Sequence, residues 1–256
     1  MMPKLRRYRL ATLLVVALLV GTGISLADEA SVITLFSSSQ TKIDIPQPWE
    51  PLTFPKIPTP TRYRAIQRNG RIVIEARSQG GASGLIHPLD IDPAAYPWLT
   101  WQWQVEHALE GADVATKAGD DCAARIYVAF KFDGRNMNWW ERFQYKTKRV
   151  LAGREIPGSA ISYAWSNKGE VGSIIDSPYT RYTKLIVIES GNKLKGRWIT
   201  ERRNLVDDYR AAFGISPPAI MGIAIMSDTD NTGASVTAYY GDIRLESNAT
   251  GTGPQP

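Results

Sequence analysis

One cysteine, Cys122, occurs in 256 residues, so no intramolecular disulfide can form and stability must come from a packed core. Histidine is almost as scarce, with His87 and His107 the only two. A zinc site or a Ser-His-Asp triad therefore has few members to draw on. Charge of one sign is also missing. The formal net charge is +5, but four of the 30 bases (Lys4, Arg6, Arg7 and Arg9) precede the first acid, Asp28. The chain from Asp28 onward is close to neutral, so its charge gives no case for nucleic acid, which would need a basic face with clustered Lys and Arg, and no nucleic-acid partner is expected. No apolar run after Val20 is long enough to span a bilayer as a helix, and no internal repeat is present.

The chain opens with a leader pattern. Lys4 to Arg9 is basic, Leu10 to Val20 is apolar, and Ser25-Leu26-Ala27 offers small residues for cleavage before Asp28. The expectation is a signal peptide over 1–27, one domain over 28–247 and a disordered polar tail over 248–256, in a periplasmic or secreted protein. No membrane span is expected once the signal is removed.

Period-two patterning dominates the rest. In 71–77, Ile72, Ile74 and Ala76 share one face while Val73, Glu75 and Arg77 share the other. In 96–105 the inward set is Leu99, Trp101, Trp103 and Val105. In 124–132 it is Ile126, Val128, Phe130 and Phe132, opposite Arg125, Tyr127 and Lys131. Further strands are expected at 32–36, 161–165, 184–189 and 198–203. The stretch 219–246 reads as two strands joined by an acidic turn, hence a hairpin. Prolines at 46, 48, 51, 55, 58 and 60 force an extended course along a surface or sheet edge. Period two fails only at 138–151 and 205–213, read as short helices stopped by Gly153 and Gly214. The fold class is all-β: an antiparallel sandwich of jelly-roll type with one or two short helices.

Three groups of residues bear chemistry. The loop Asp228-Thr-Asp-Asn-Thr-Gly233 spaces oxygens as a calcium loop does, but it lacks the distant Glu of an EF-hand, and turn capping explains it better. In Gly119–Tyr127, strand alternation places Asp121, Arg125 and Tyr127 together. With Glu201, Arg203, Asp228 and Asp230 they could hold sugar hydroxyls, or supply two carboxylates for glycoside cleavage if about 5 to 9 Å apart. The chain also carries eight Trp and eleven Tyr; Trp101 and Trp103 read as core, while Trp139, Trp140, Trp165, Tyr163, Tyr239 and Tyr240 are open to either core or ligand roles. Cys122 reads as a small buried apolar residue.

Three stretches together resemble a bacterial family of secreted proteins, domain-of-unknown-function family 3047. They are Gly119-Asp-Asp with Ala124–Val128; Glu201–Asn204 with Asp208-Tyr209 and Phe213-Gly214; and Met226–Thr232 with Ala238–Ile243. The resemblance implies one secreted domain and no established activity. Tyr239–Leu245 is similar to the closing strand of galactose-binding-like, carbohydrate-binding jelly rolls. That resemblance implies a structural calcium at Asp242; no other cofactor is required.

The reading is a secreted or periplasmic sandwich that binds a glycan or other polar small molecule without chemistry, through Arg125, Tyr127, Glu201, Arg203, Asp228 and Asp230. The alternatives are a glycan-active hydrolase or lyase using the same carboxylates, and an envelope scaffold with a protein partner.

Overall fold

The structure, a computed structural model, describes residues 31–32, 36–38, 45–134, 139, 142, 145 and 156–248. The expected signal segment, the tail from 249, Trp140 and most of the expected helix 138–151 lie outside these residues, although positions 139, 142 and 145 are helical.

Besides those helical positions and a 3-10 turn at Phe36–Ser38, the described residues form thirteen strands and one α-helix with described bounds. The strands are β1 (Ser31–Val32), β2 (Glu50–Leu52), β3 (Arg62–Arg68), β4 (Arg71–Gln79), β5 (Ala82–Ile91), β6 (Trp98–Val105) and β7 (Cys122–Phe130). They continue with β8 (Ser159–Ser166), β9 (Ile174–Ser177), β10 (Thr180–Ser190), β11 (Ile199–Asn204), β12 (Ile220–Asp228) and β13 (Ser235–Glu246), and helix α1 spans Leu205–Phe213. One sheet has the order β11-β6-β13-β4-β3, with β1 beside β13; the other runs β2-β5-β12-β7-β8-β10-β9. Alternation puts Trp101, Trp103, Ile126, Tyr163, Trp165 and Ile223 between the sheets in one core. Period two predicts this layering, and the protein is the expected β-sandwich. One pair departs from antiparallel order: β10 runs parallel to β8, because the short β9 first carries the chain back along the sheet.

Three local expectations change. The stretch 219–246 is not a hairpin. β12 pairs with β5 and β7 in one sheet, β13 with β4 and β6 in the other, and their loop arches between the sheets. Turn residues show where a chain reverses, not which sheet receives the next strand. At the N-terminal end, Ser31–Val32 pairs as a strand, but Phe36, expected at the strand's end, opens a 3-10 turn over Phe36–Ser38. Asp121, Arg125 and Tyr127 do not share a face, because a bulge interrupts β7. From Met226 to Asp228 on β12 the partner on β7 moves from Arg125 to Cys122, three residues against two.

That bulge is stapled by a buried hydroxyl. The Tyr240 hydroxyl donates to the Met226 carbonyl at 2.6 Å and accepts from the Arg125 amide at 3.3 Å. It also shares a hydrogen bond with the Ser227 hydroxyl at 2.9 Å. Backbone groups displaced from the ladder thus remain satisfied.

Candidate functional site

The outer face of the seven-stranded sheet is low in its middle, where Ala224 on β12, Ala129 on β7 and Ala160 on β8 form a floor. Leu52, Phe54 and Ile57 of the proline-rich segment rise at the β2 and β5 side; Ile156, Pro157 and Tyr179 rise at the other. Between them is a cleft of about 540 Å³, within the range of small-molecule sites. Met226 and Tyr127 extend from the floor toward its polar end.

The polar end centres on Arg125, which is buried. Its Nε donates to Asp228 Oδ1 at 3.0 Å and its Nη2 to Asp228 Oδ2 at 2.9 Å, a two-pronged pair. Nη2 also reaches Asp120 Oδ1 at 2.9 Å, and Nη1 donates to the Tyr127 hydroxyl at 3.3 Å. The bulge brings this about: it turns Arg125 and Asp228 to the same side although they are not register partners. Burial pushes the Asp228 carboxyl up to about 7 against the pull of Arg125. Burial also acts to lower the Arg125 guanidinium, yet Asp228 and its neighbours hold it well above its ordinary value. The Tyr127 hydroxyl is raised by the same burial.

Asp121 belongs to the arch instead. Its Oδ1 accepts from the Asn231 amide at 3.2 Å and side chain at 3.1 Å; its Oδ2 accepts from the Thr232 amide at 2.7 Å and hydroxyl at 2.6 Å. One oxygen each from Asp121, Asp228 and Asp230 lie within 4.8 Å of one another, the one grouping among the described residues that could hold a cation. Every carboxylate oxygen of Asp121 and Asp228 already accepts from the protein.

Of the residues singled out in the sequence, Arg125, Tyr127, Asp228 and Asp230 lie together on the cleft. Glu201 and Arg203 do not. They lie on β11, the edge of the other sheet. Glu201 accepts from Trp103 Nε1 at 3.2 Å, and burial with the nearby Glu189 raises its carboxyl to about 7. Arg203 pairs with Asp208, which also accepts from the Tyr163 hydroxyl at 2.8 Å, and so docks α1. A single β-strand pattern shows which face a residue occupies but not which sheet the strand joins. Asp242 takes Ser37, from amide and hydroxyl at 2.8 and 2.6 Å, with both carboxylate oxygens. Cys122 is buried and its thiol is raised by burial, as an inert core residue should be. Trp165, Tyr163 and Tyr240 are core, while Trp139 is exposed.

Sequence reasoning missed Tyr179 and the apolar walls. Tyr179 sits in the β9–β10 turn with no pattern around it; only its exposure in the fold, 58%, marks it.

The fold and cleft define a two-sheet β-sandwich with a small-molecule-sized cleft on the outer face of one sheet. The chain belongs to the family described as Protein of unknown function (DUF3047), which matches residues 47–244. No curated protein matches it. Among solved structures it is similar to the family 11 carbohydrate-binding module of a cellulosomal cellulase of Clostridium thermocellum, at 10% identity and TM-score 0.40, covering 85% of this chain and 94% of that one. It is also similar to the family 30 carbohydrate-binding module of another cellulosomal cellulase of that organism, at 12% identity and TM-score 0.39, covering 78% and 94%. A third is the Endo-D glycoside hydrolase domain of Streptococcus pneumoniae, at 10% identity and TM-score 0.35, covering 81% of this chain and 22% of that one. At such distances no residue and no activity carries across.

Proposed function

We propose that this protein is a secreted or periplasmic binding module that holds a carbohydrate, or a similarly amphipathic polar ligand, in the cleft of the seven-stranded sheet without transforming it. The carrying observation is the make-up of that cleft: an apolar floor and aromatic walls leading to a polar end. A sugar ring has the same division. Its C–H face stacks on Tyr127, Tyr179 or Phe54, and its hydroxyls meet the carboxylates of Asp120 and Asp230 and the side-chain oxygen of Asn231.

The carboxylates that come close at the polar end favour a second reading, glycoside cleavage. The bonding of two of them opposes it. A general acid or nucleophile needs an oxygen free to meet the substrate, and both oxygens of Asp228 are held by Arg125 while those of Asp121 are held by the arch; of this grouping that leaves Asp230, where cleavage needs a pair.

The test is a glycan-array screen of the protein with calcium and with a chelator, followed by calorimetric titration of the hits. Tyr179→Ala and Asp230→Ala should each weaken binding at least tenfold while melting temperature stays put. Absence of binding to every glycan in both buffers would sink the proposal, and turnover of a bound glycan would move it to the enzymatic reading.

A further inference from the structure

The opposite face of the sandwich has a different character. On β3 and β4 the outward positions pair as Arg62 with Arg77, Arg64 with Glu75, and Arg68 with Arg71, with the apolar pair Ile66 and Val73 between the last two. Five guanidiniums thus share a two-stranded strip with one carboxylate. Glu75 is buried beneath them, accepting from Arg64 and from Arg77. Among the described residues no acid pairs with Arg62 or Arg71; Arg71 donates only to the Gln102 side chain at 3.2 Å. The two paired ends are six residues apart, about 20 Å along the strands. At one end Arg62 and Arg77 open onto a cleft of about 370 Å³ that also holds His107, Ser235, Thr237 and one acid, Glu106, which accepts from the Tyr239 hydroxyl at 3.3 Å. The acidic groups Asp120, Asp228 and Asp230 lie across the molecule at the other sheet.

We infer that this arginine strip is a second binding surface, independent of the cleft, and that its ligand is an acidic polysaccharide carrying carboxylates or sulfates along its length. Guanidiniums held out on a rigid sheet suit planar anions, which they bind in pairs of hydrogen bonds. The face argues against two other polyanions. A single-stranded nucleic acid needs open rings for its bases, but Tyr239 lies under Arg68 at 3.9 Å and Trp98 under Arg202 at 3.8 Å. A membrane surface is held by apolar side chains entering the interface, and none of the exposed large hydrophobic residues lies on this sheet. The amide of Gln102 and the hydroxyls of Thr200 and Thr237 offer partners for the sugar hydroxyls between the charges.

The experiment is biolayer interferometry of the full chain on immobilised polygalacturonate, with neutral dextran, poly(dT) and phosphatidylglycerol vesicles alongside. Binding to polygalacturonate is expected, with none to dextran, and a weakening of at least tenfold between 0.05 and 0.5 M salt. Arg62→Glu with Arg71→Glu should reduce it at least tenfold, and Arg62→Gln with Arg71→Gln several-fold at an unchanged melting temperature. No binding to polygalacturonate, binding equally strong in the folded Gln variant, or tighter binding to poly(dT) or vesicles overturns the inference. A neutral glycan taken up in the cleft has no bearing on it, so the two proposals fail separately.

Discussion

Tyr240 supports the cleft without lining it: it lies in the core of the sandwich and belongs to the other sheet. One hydroxyl bonds the Arg125 amide and the Met226 carbonyl, two backbone groups beside the bulge, and also the Ser227 hydroxyl. Replacing Tyr240 with Phe keeps the ring and strands those groups. Unsatisfied buried backbone groups cost about 1 to 3 kcal/mol, so Tyr240→Phe should lower urea stability by that order with an unchanged m-value. Because Arg125 is aimed by the same bulge, glycan affinity in the cleft should fall several-fold as well. A variant as stable and as tight-binding as the parent would show that the bulge holds itself. Alternation alone put Arg125 and Tyr127 on one face correctly. It misplaced Asp121, because one extra residue in a strand reverses the faces of everything before it, and a bulge leaves no mark in a run of small apolar residues such as Cys122-Ala123-Ala124.

At the scale of elements, the three family stretches divide by role. Two of them, around Arg125 and around Asp228 with Tyr240, build the polar end of the cleft. The third, Glu201–Gly214, builds a docked helix. Asn204 caps α1 by accepting from the amides of Val206 at 3.0 Å and Asp207 at 3.2 Å. Arg203 grips Asp208 one turn in, and Gly214 ends the helix at φ 75°, where glycine alone is unstrained. Loss of the cap should cost about 0.5 to 2 kcal/mol. Asn204→Ala is therefore expected to lower the melting temperature by a few degrees while leaving glycan binding in the cleft unchanged; a change in cleft affinity would mean that α1 is coupled to the site. The helix and most strands were legible in the sequence because their periods, caps and stops are local. The hairpin reading of 219–246 failed for the complementary reason. Whether two adjacent strands pair together or cross between sheets depends on partners far away in the chain, here β5, β7, β4 and β6. Grouping Glu201 and Arg203 with Arg125 failed in the same way.

For the whole molecule, burial of carboxyl groups sets a pH dependence. Burial raises Glu201 to about 7, helped by Glu189, and raises Asp228 to about 7 against Arg125. Each binds its proton more tightly in the fold than in the unfolded chain. The folded state therefore holds more protons than the unfolded state between roughly pH 4 and 7, and stability falls as pH rises through that window. Glu75 has the opposite sign: burial opposes it, but hydrogen bonds from Arg64 and Arg77 hold its carboxyl below the ordinary value, so its contribution is lost in acid. The two slopes place maximal stability on the mildly acidic side. Denaturant titrations at pH 5.5 and 8 should show the protein more stable at 5.5. Glu201→Gln isolates one part of the effect, since the amide oxygen can still accept from Trp103 and no charge forms at any pH. Glu201 is half-buried, so its shift is discounted for solvent screening to about 1 to 2 kcal/mol. The variant should gain that much at pH 8 and less than half as much at pH 5.5, narrowing the difference between the two. An equal gain at both pH values would assign the effect to packing instead of charge, and no gain at pH 8 would mean that Glu201 ionises in the fold as freely as it does in water.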